Sequence, residues 1–311
     1  MLSIVIPCYN EEDVIIETNK ILSKLTEIWI DKKILSSYEV IYVNDGSKDN
    51  TLNILKNIAY KNQNIKIISL SNNFGHQAAL TAGLHHASGD VIVTLDADLQ
   101  DPPEVIENMI EKYREGYEIV YGVRKERQED SFFKRVTAHS FYKLMKWMGV
   151  NFVYNHADFR LISNDVLREF KGYGEINRFI RGMFPMLGFH PTMVEYNRVK
   201  RFAGETKYPF KKMLAFAIEG ITSFSPLPLR LASFLGLTLF LGTLILMLWA
   251  MITRLSGHAI PGWASIVLPL YFLGGIQLIF FGIMGEYIAK IYMEVKRRPL
   301  YIIKEKFNFE V

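Results

Sequence analysis

Short apolar runs rich in Val and Ile recur along the first 125 residues, at Ser3–Pro7, Glu39–Asn44, Ile65–Leu70, Val91–Leu95 and Glu118–Gly122. Their length and composition predict strands. Between them apolar side chains return at helical spacing. Over 11–28 the positions Val14, Ile15, Thr18, Ile21, Leu22 and Leu25 share one face behind Asn10 as N-cap, and over 51–61 Leu52, Ile54, Leu55 and Ile58 do the same. Near-continuous apolar strands alternating with amphipathic helices predict an α/β fold whose mainly parallel sheet is covered on both faces. A sheet of that kind binds ligands beyond the carboxyl ends of its strands. The polar stretches PCYNEE, NDGSKDNT and DADLQD each follow a strand, so they converge on one edge.

The pattern changes after residue 230. Leu231–Ile252 is 22 residues without a charge, and Trp263–Gly285 is 23 more. At ~1.5 Å rise per residue each run reaches roughly 33–35 Å, enough for a ~30 Å hydrocarbon layer, so two membrane-spanning helices are expected. Only Arg254 lies in the link between them. Lys207, Lys211, Lys212 and Arg230 precede the first run, and Lys290, Lys296, Arg297, Arg298, Lys304 and Lys306 follow the second. Cations flanking both outer ends place both termini on the cytoplasmic side. Residues 211–225 mix basic, apolar and small side chains and read as an amphipathic helix on the membrane surface. The expected organisation is a cytoplasmic domain over 1–210, a juxtamembrane helix over 211–228, two spans within 229–290 and a basic cytoplasmic tail over 291–311.

Composition narrows the classes. A net charge of +4 over 311 residues is too small to argue for a nucleic-acid partner. The single cysteine, Cys8, excludes an internal disulfide and a multi-cysteine zinc site, and it reads as a packed side chain. No signal-peptide pattern opens the chain.

The candidate chemistry is carboxylate. Asp96, Asp98 and Asp101 fall within six residues after the fourth strand. Asp101, followed by Pro102-Pro103-Glu104, reads as the N-cap of a helix and leaves the catalytic list. An EF-hand reading fails, since Asp101 stands where its loop needs glycine. In an extended segment Asp96, Asp98 and Gln100 would project to one side and present three oxygens together. Helix starts that accept anions, beside carboxylates that hold cations, suit a nucleoside diphosphate escorted by Mg2+ or Mn2+. The histidines His76, His85 and His86 lack zinc-ligand spacing and read as surface or packing residues.

The stretches VIPCYNEE (5–12), VNDGSKDNT (43–51), NFGHQAALTAG (73–83) and LDADLQDPPE (95–104) resemble the inverting family 2 glycosyltransferases with a GT-A fold, and within them the polyprenyl-phosphate glycosyltransferases. The resemblance implies that Pro7, Tyr9, Glu11 and Asp45 hold the nucleotide. It puts Asp96 on the donor side of the site, with Asp98 and Gln100 on a divalent metal. It assigns Arg124, Arg135 and Arg201 to the acceptor phosphate, a task suited to the planar guanidinium fork. Asp158 has a counterpart near the reaction centre, as a general base or as a group orienting Arg160 or a sugar hydroxyl; a simple ion pair with Arg160 is the plainer reading. A turn role is the plainer reading for Asp45 at Asp-Gly. The expected activity moves glucose from UDP-glucose onto undecaprenyl phosphate at the membrane, as in the bactoprenol glucosyltransferases that serve O-antigen or wall modification, by an enzyme assembled as a homo-oligomer. Mannosyl and aminoarabinosyl transfer, and a nucleotide-sugar sensor without turnover, are the rival expectations.

Overall fold

The computed structural model describes residues 1–125, 156–199, 221–223, 225–256 and 262–309. Five strands form where the apolar runs predict them: β1 (Leu2–Cys8), β2 (Tyr38–Asn44), β3 (Ile65–Leu70), β4 (Val91–Thr94) and β5 (Ile119–Arg124). β1 and β2 are buried along their whole length, as strands covered on both faces must be. The helices among them are α1 (Ile15–Asp31), α2 (Thr51–Lys61), α3 (His76–His86) and α4 (Val105–Arg114).

α1 begins at Ile15 rather than at residue 11, and Asn10 is not its cap. Asn10 takes a left-handed conformation (φ 55°). Its amide donates to Ser47 Oγ at 3.0 Å, and its side-chain oxygen accepts from the Lys48 amide at 2.9 Å. The turn after β1 is therefore tied to the turn after β2 before any helix starts.

Past residue 155 the chain adds β6 (His156–Ser163), α5 (Asn164–Gly172), α6 (Ile180–Met186) and β7 (Pro191–Tyr196). With β8 (Ile303–Phe307) the sheet runs in the order β7-β5-β6-β4-β1-β2-β3-β8. β1 pairs in parallel with β2 and β4, β2 with β3, and β5 with β7. β6 runs antiparallel to both β4 and β5, and β8 antiparallel to β3. The sheet is thus mixed and mostly parallel. Alternate residues of each strand feed opposite faces. Ile4, Ile6 and Tyr42 pack with Leu22, Trp29, Leu55 and Met109 of α1, α2 and α4. Val5, Val43 and Ile92 pack with Ala79, Leu80, Phe170 and Phe184 of α3, α5 and α6.

α3 lies directly on this second face because Gly83 has no side chain. A Cβ there would stand 2.2 Å from Val5 Cγ1 and 3.0 Å from Val43 Cγ2. Gly83→Ala is expected to destabilise the protein by roughly 1–3 kcal/mol through overpacking, read as a lower denaturation midpoint. An unchanged midpoint would mean that α3 has room to lift off β1.

Two long helices follow, α7 (Leu227–Leu255, 29 residues) and α8 (Trp263–Lys296, 34 residues). Leu227–Leu246 and Phe272–Lys296 are long and apolar enough to cross a membrane. Phe234, Leu237, Ile245, Leu278 and Ile279 are exposed along them, an apolar surface that suits lipid rather than water. At ~1.5 Å per residue α8 is roughly 51 Å long, more than the ~30 Å of a hydrocarbon layer, and its polar residues Glu286, Lys290 and Glu294 are gathered in its last turns.

The segment expected as a basic tail returns to the sheet. β8 covers the β3 edge, where Glu305 pairs with Lys56 at 2.9 Å and Asn308 Nδ2 donates to the carbonyls of Ala59 (2.9 Å) and Ile65 (2.8 Å). An otherwise open edge strand is closed by this pairing. Most of the expected juxtamembrane helix, 211–220, lies outside the described residues.

Candidate active site

Strand order decides what meets at the sheet edge. β1 is flanked by β2 on one side and β4 on the other, so the chain reverses direction of travel there and leaves a crevice beyond the strand ends. β6 enters beside β4 antiparallel, with Thr94 paired to Arg160. Two residues beyond Thr94 on β4 and two residues before Arg160 on β6 therefore bring Asp96 level with Asp158. Thr94 Oγ1 locks the arrangement by donating to the Asp158 carbonyl.

Asp158 is the centre of a buried cluster, and its carboxylate is crowded with donors. Oδ1 accepts from Arg160 Nη2 at 2.6 Å and from Arg181 Nε at 3.1 Å, while Oδ2 accepts from Arg181 Nη2 at 2.9 Å. His76 Nε2 stands 3.3 Å from Oδ2 and 3.8 Å from Asp96 Oδ1. Burial pushes the Asp158 carboxyl up, but Arg181, His76 and Arg160 outweigh it and hold the group well below the usual carboxylate range. Burial pushes Asp96 up, and the carboxylates of Asp158, Asp101 and Asp98 add to this against the opposing pull of His76. The expected ion pair of Asp158 with Arg160 forms, and Arg160 is fully buried, its guanidinium 4.9 Å from the Phe184 ring centroid.

His76 and Arg181 were not read as site residues from the sequence. His76 opens α3 directly after the β3 turn, on the same edge as the acidic stretches; that position was the available signal. Arg181 sits in α6, and nothing local marks it. His85 and His86 do pack as expected. His85 lies 6.5 Å from the Phe170 ring, and burial, with Arg178 and Lys171 nearby, lowers it to about 4. His86 Nδ1 lies 2.8 Å from the Ala82 carbonyl.

Burial lowers the His76 pKa, but the bond to Asp158 and the charge of Asp96 more than compensate, and the net shift is upward. A group raised on folding stabilises the protein fully below its unfolded pKa, about 6.5, and loses that contribution as pH rises through its folded value. Metal-free protein is therefore expected to lose stability from pH 6 towards pH 9, and His76→Asn to flatten that part of the profile. Parallel profiles for the two proteins would remove His76 from the cluster.

The acidic stretch is a turn, not the extended segment expected. Leu99 is left-handed (φ 55°), and Asp98 Oδ1 accepts from the Gln100 amide at 3.1 Å. Gln100 is held from the far side: its Oε1 accepts from Arg198 and its carbonyl from the Val199 amide at 3.1 Å. Asp101 does not cap α4, whose N-terminal position is Glu104. Its buried carboxylate instead accepts from Arg124 Nη2 at 3.0 and 3.1 Å and from Tyr196 Oη at 2.6 Å. A bidentate guanidinium bond outweighs a single backbone cap in a buried setting. Arg124, expected at an acceptor phosphate, thus has a carboxylate partner. Arg135 and Arg201 lie outside the described residues.

On the nucleotide side Pro7 is buried within β1, while Tyr9 is 41% exposed at the lip of the turn. The Glu11 amide donates to Thr51 Oγ1 at 2.9 Å. Asp45 does not close the turn at Asp-Gly; Asn44 does, accepting from the Ser47 amide at 3.2 Å. Asp45 reaches across to the loop before α3 and accepts from the amides of Phe74 (2.7 Å) and Gly75 (2.9 Å). The oxygen-only donors Asp98 and Gln100 suit a hard divalent cation, and the surplus of negative charge around Asp96 is what such a cation offsets. The oxygens of Asp98 and Gln100 therefore fit a hard divalent cation.

The glycosyl transferase family 2 model matches residues 3–171. The chain is 48% identical to an uncharacterized glycosyltransferase of Bacillus subtilis, YkoT, over 97% of this chain and 91% of that protein. It is 42% identical to the prophage bactoprenol glucosyl transferase homolog of Escherichia coli K12, covering 97% and 98%, and 41% identical to the bactoprenol glucosyl transferase of Shigella phage SfII, covering 98% and 97%. A solved glucosyl-3-phosphoglycerate synthase from Mycobacterium tuberculosis, in complex with Mn2+, UDP and phosphoglyceric acid, overlays on 71% of this chain and 76% of its own at 18% identity and a TM-score of 0.47. The family match runs from β1 into α5, across the turn that carries Asp96 and Asp98 and the strand that carries Asp158, and makes this chain a glycosyltransferase of family 2.

Proposed function

We propose that the protein transfers glucose from UDP-glucose to the phosphate of a polyprenyl lipid, undecaprenyl phosphate being the expected acceptor, at the cytoplasmic face of a membrane held by α7 and α8. The near-full-length likeness to bactoprenol glucosyl transferases carries this reading. The two apolar helices supply the anchor that a lipid acceptor demands.

In this reading an oxygen of the lipid phosphate attacks the anomeric carbon from the face opposite the nucleotide. The bond from that carbon to UDP breaks, UDP leaves, and the configuration inverts. A phosphate monoester, with a second pKa of about 6, is largely a dianion at neutral pH and needs no base. Asp158, held well below the usual range and already engaged by two guanidinium groups, is a poor proton acceptor; it orients Arg181, Arg160 and His76 around the donor. Tyr9 offers a ring face to the base, and Asp45 fixes the turn beneath it. Asp98 and Gln100 would hold the divalent cation, which supplies charge neutralisation at the diphosphate leaving group. Arg124, Arg135 and Arg201 remain the acceptor-phosphate set, with Arg124 exchanging between Asp101 and the lipid.

Purified protein given labelled UDP-glucose, Mn2+ and polyprenyl phosphate is expected to move label into the lipid phase, and chelation of the cation to stop it. UDP binding without any label in the lipid would establish the sensor instead. A faster reaction with GDP-mannose or a UDP-aminosugar would reassign the donor.

A further inference from the structure

The geometry points to Glu294, near the end of α8, as a positioning residue that holds the Asp158 cluster in register with the membrane anchor. The inference rests on the transfer reading proposed above.

The loop between α5 and α6 has irregular backbone, so its amides need partners from elsewhere. Glu294 Oε1 supplies them, accepting from Ile176 at 2.8 Å and Asn177 at 2.9 Å, residues more than a hundred positions away in sequence. A second tie runs in parallel. Asn177 Nδ2 donates to Ser223 Oγ at 2.9 Å, and that same oxygen accepts from Lys290 Nζ at 2.8 Å, one turn before Glu294 on α8. The loop is stiff within itself, since the buried Arg178 donates to the carbonyls of Glu175 (3.0 Å) and Tyr173 (2.5 Å). Its far end is fastened too, with the Ile180 amide donating to Gln77 Oε1 at 3.1 Å. Gln77 is the neighbour of His76, and Ile180 the neighbour of Arg181. The loop therefore ends on the two side chains that, with Arg160, hold Asp158, and it starts on the helix that enters the membrane.

Transfer to a lipid gives that path a purpose. The acceptor phosphate is held at the height of the bilayer surface, while the sugar is held by the sheet. A displacement of about 1 Å between them is enough to cost on the order of a hundredfold in rate. A carboxylate that clasps the site loop from the membrane helix sets this height.

The experiment compares Glu294→Ala with Glu294→Gln in the full-length protein in detergent. Gln keeps the one oxygen that accepts both amides, so it is expected to retain most activity. Ala is expected to lower kcat about tenfold, with the KM for UDP-glucose unchanged because the nucleotide contacts lie elsewhere. Amide exchange over 173–186 gives a second readout that needs no turnover: Ala is expected to speed exchange from Ile176 through Arg181, and Gln to match the wild type. Ser223→Ala, which removes the parallel tie, is expected to speed the same amides more weakly and serves if Glu294→Ala does not fold. Unchanged exchange in α6 in either alanine variant overturns the inference, as does Gln behaving like Ala. A wild-type enzyme that moves no sugar to lipid would sink the transfer reading alone, and the exchange data would still decide the clasp.

Discussion

Asp158→Ala is expected to remove nearly all transfer and to lower stability by about 3–5 kcal/mol, the cost of leaving a buried charge without its partner. Arg160 decides the size of the effect. It is fully buried, its nearest anion is Asp158 at 2.6 Å, and its ring neighbour Phe184 cannot replace a carboxylate. Arg181 is a third exposed and would relax into solvent, so it adds to the loss of activity more than to the loss of stability. Asp158→Asn separates the two roles. It keeps an oxygen of the right shape but no charge, so the fold is expected to survive better than in the alanine variant while the arrangement of Arg181 and His76 still fails. Because Asp158 is depressed in the folded protein, its contribution is present above the unfolded value of about 3.9 and is lost only as pH falls through its lower, folded value. The stability gap between wild type and Asp158→Asn should therefore stay level across the carboxylate's range from pH 5 upward, apart from the fading share of His76. Denaturation midpoints and transfer rates measured side by side test both parts. An asparagine variant with wild-type stability and turnover would leave Asp158 with no role.

Asp98→Ala is expected to lower metal-dependent turnover at least a hundredfold. Even partners standing behind a metal ligand are worth about ten- to a hundredfold, and loss of the proposed ligand itself should exceed that. Gln100→Ala is expected to do less. The Gln100 side-chain oxygen already accepts from Arg198, so a cation would have to share it, whereas Asp98 brings a full negative charge that a neutral amide lacks. Titrating Mn2+ against UDP affinity in each variant reads this order directly. A fully active Asp98→Ala enzyme would take the cation out of the mechanism, and equal losses at the two positions would make Arg198 a bystander.

Much of this protein could be read along the chain. Helix and strand periods are local properties, so α2 and β3 appear with the limits their apolar positions suggest, and the two uncharged runs become long exposed helices. Where a local signal competes with a distant partner, the partner wins. Asn10 and Asp101 both look like helix caps by their neighbours. One instead bridges to Ser47 and Lys48 with two bonds where a cap offers one, and the other binds Arg124 and Tyr196, because buried, charge-assisted bonds outweigh a cap.

The sequence by itself determined that strands and helices alternate, that three polar turns meet at one sheet edge, and that two apolar segments follow. The alternation and the apolar segments depend only on the spacing of side chains within about twenty residues, and the shared edge follows once the buried, helix-separated strands are taken as parallel. The tertiary structure alone decided that Asp158 stands beside Asp96, since that needs β6 to run antiparallel next to β4. It alone brought His76 and Arg181 onto one carboxylate, folded the last strand back onto β3, and set Glu294 under the site loop. Strand direction and order are settled by the packing of the whole sheet, and no local period encodes them.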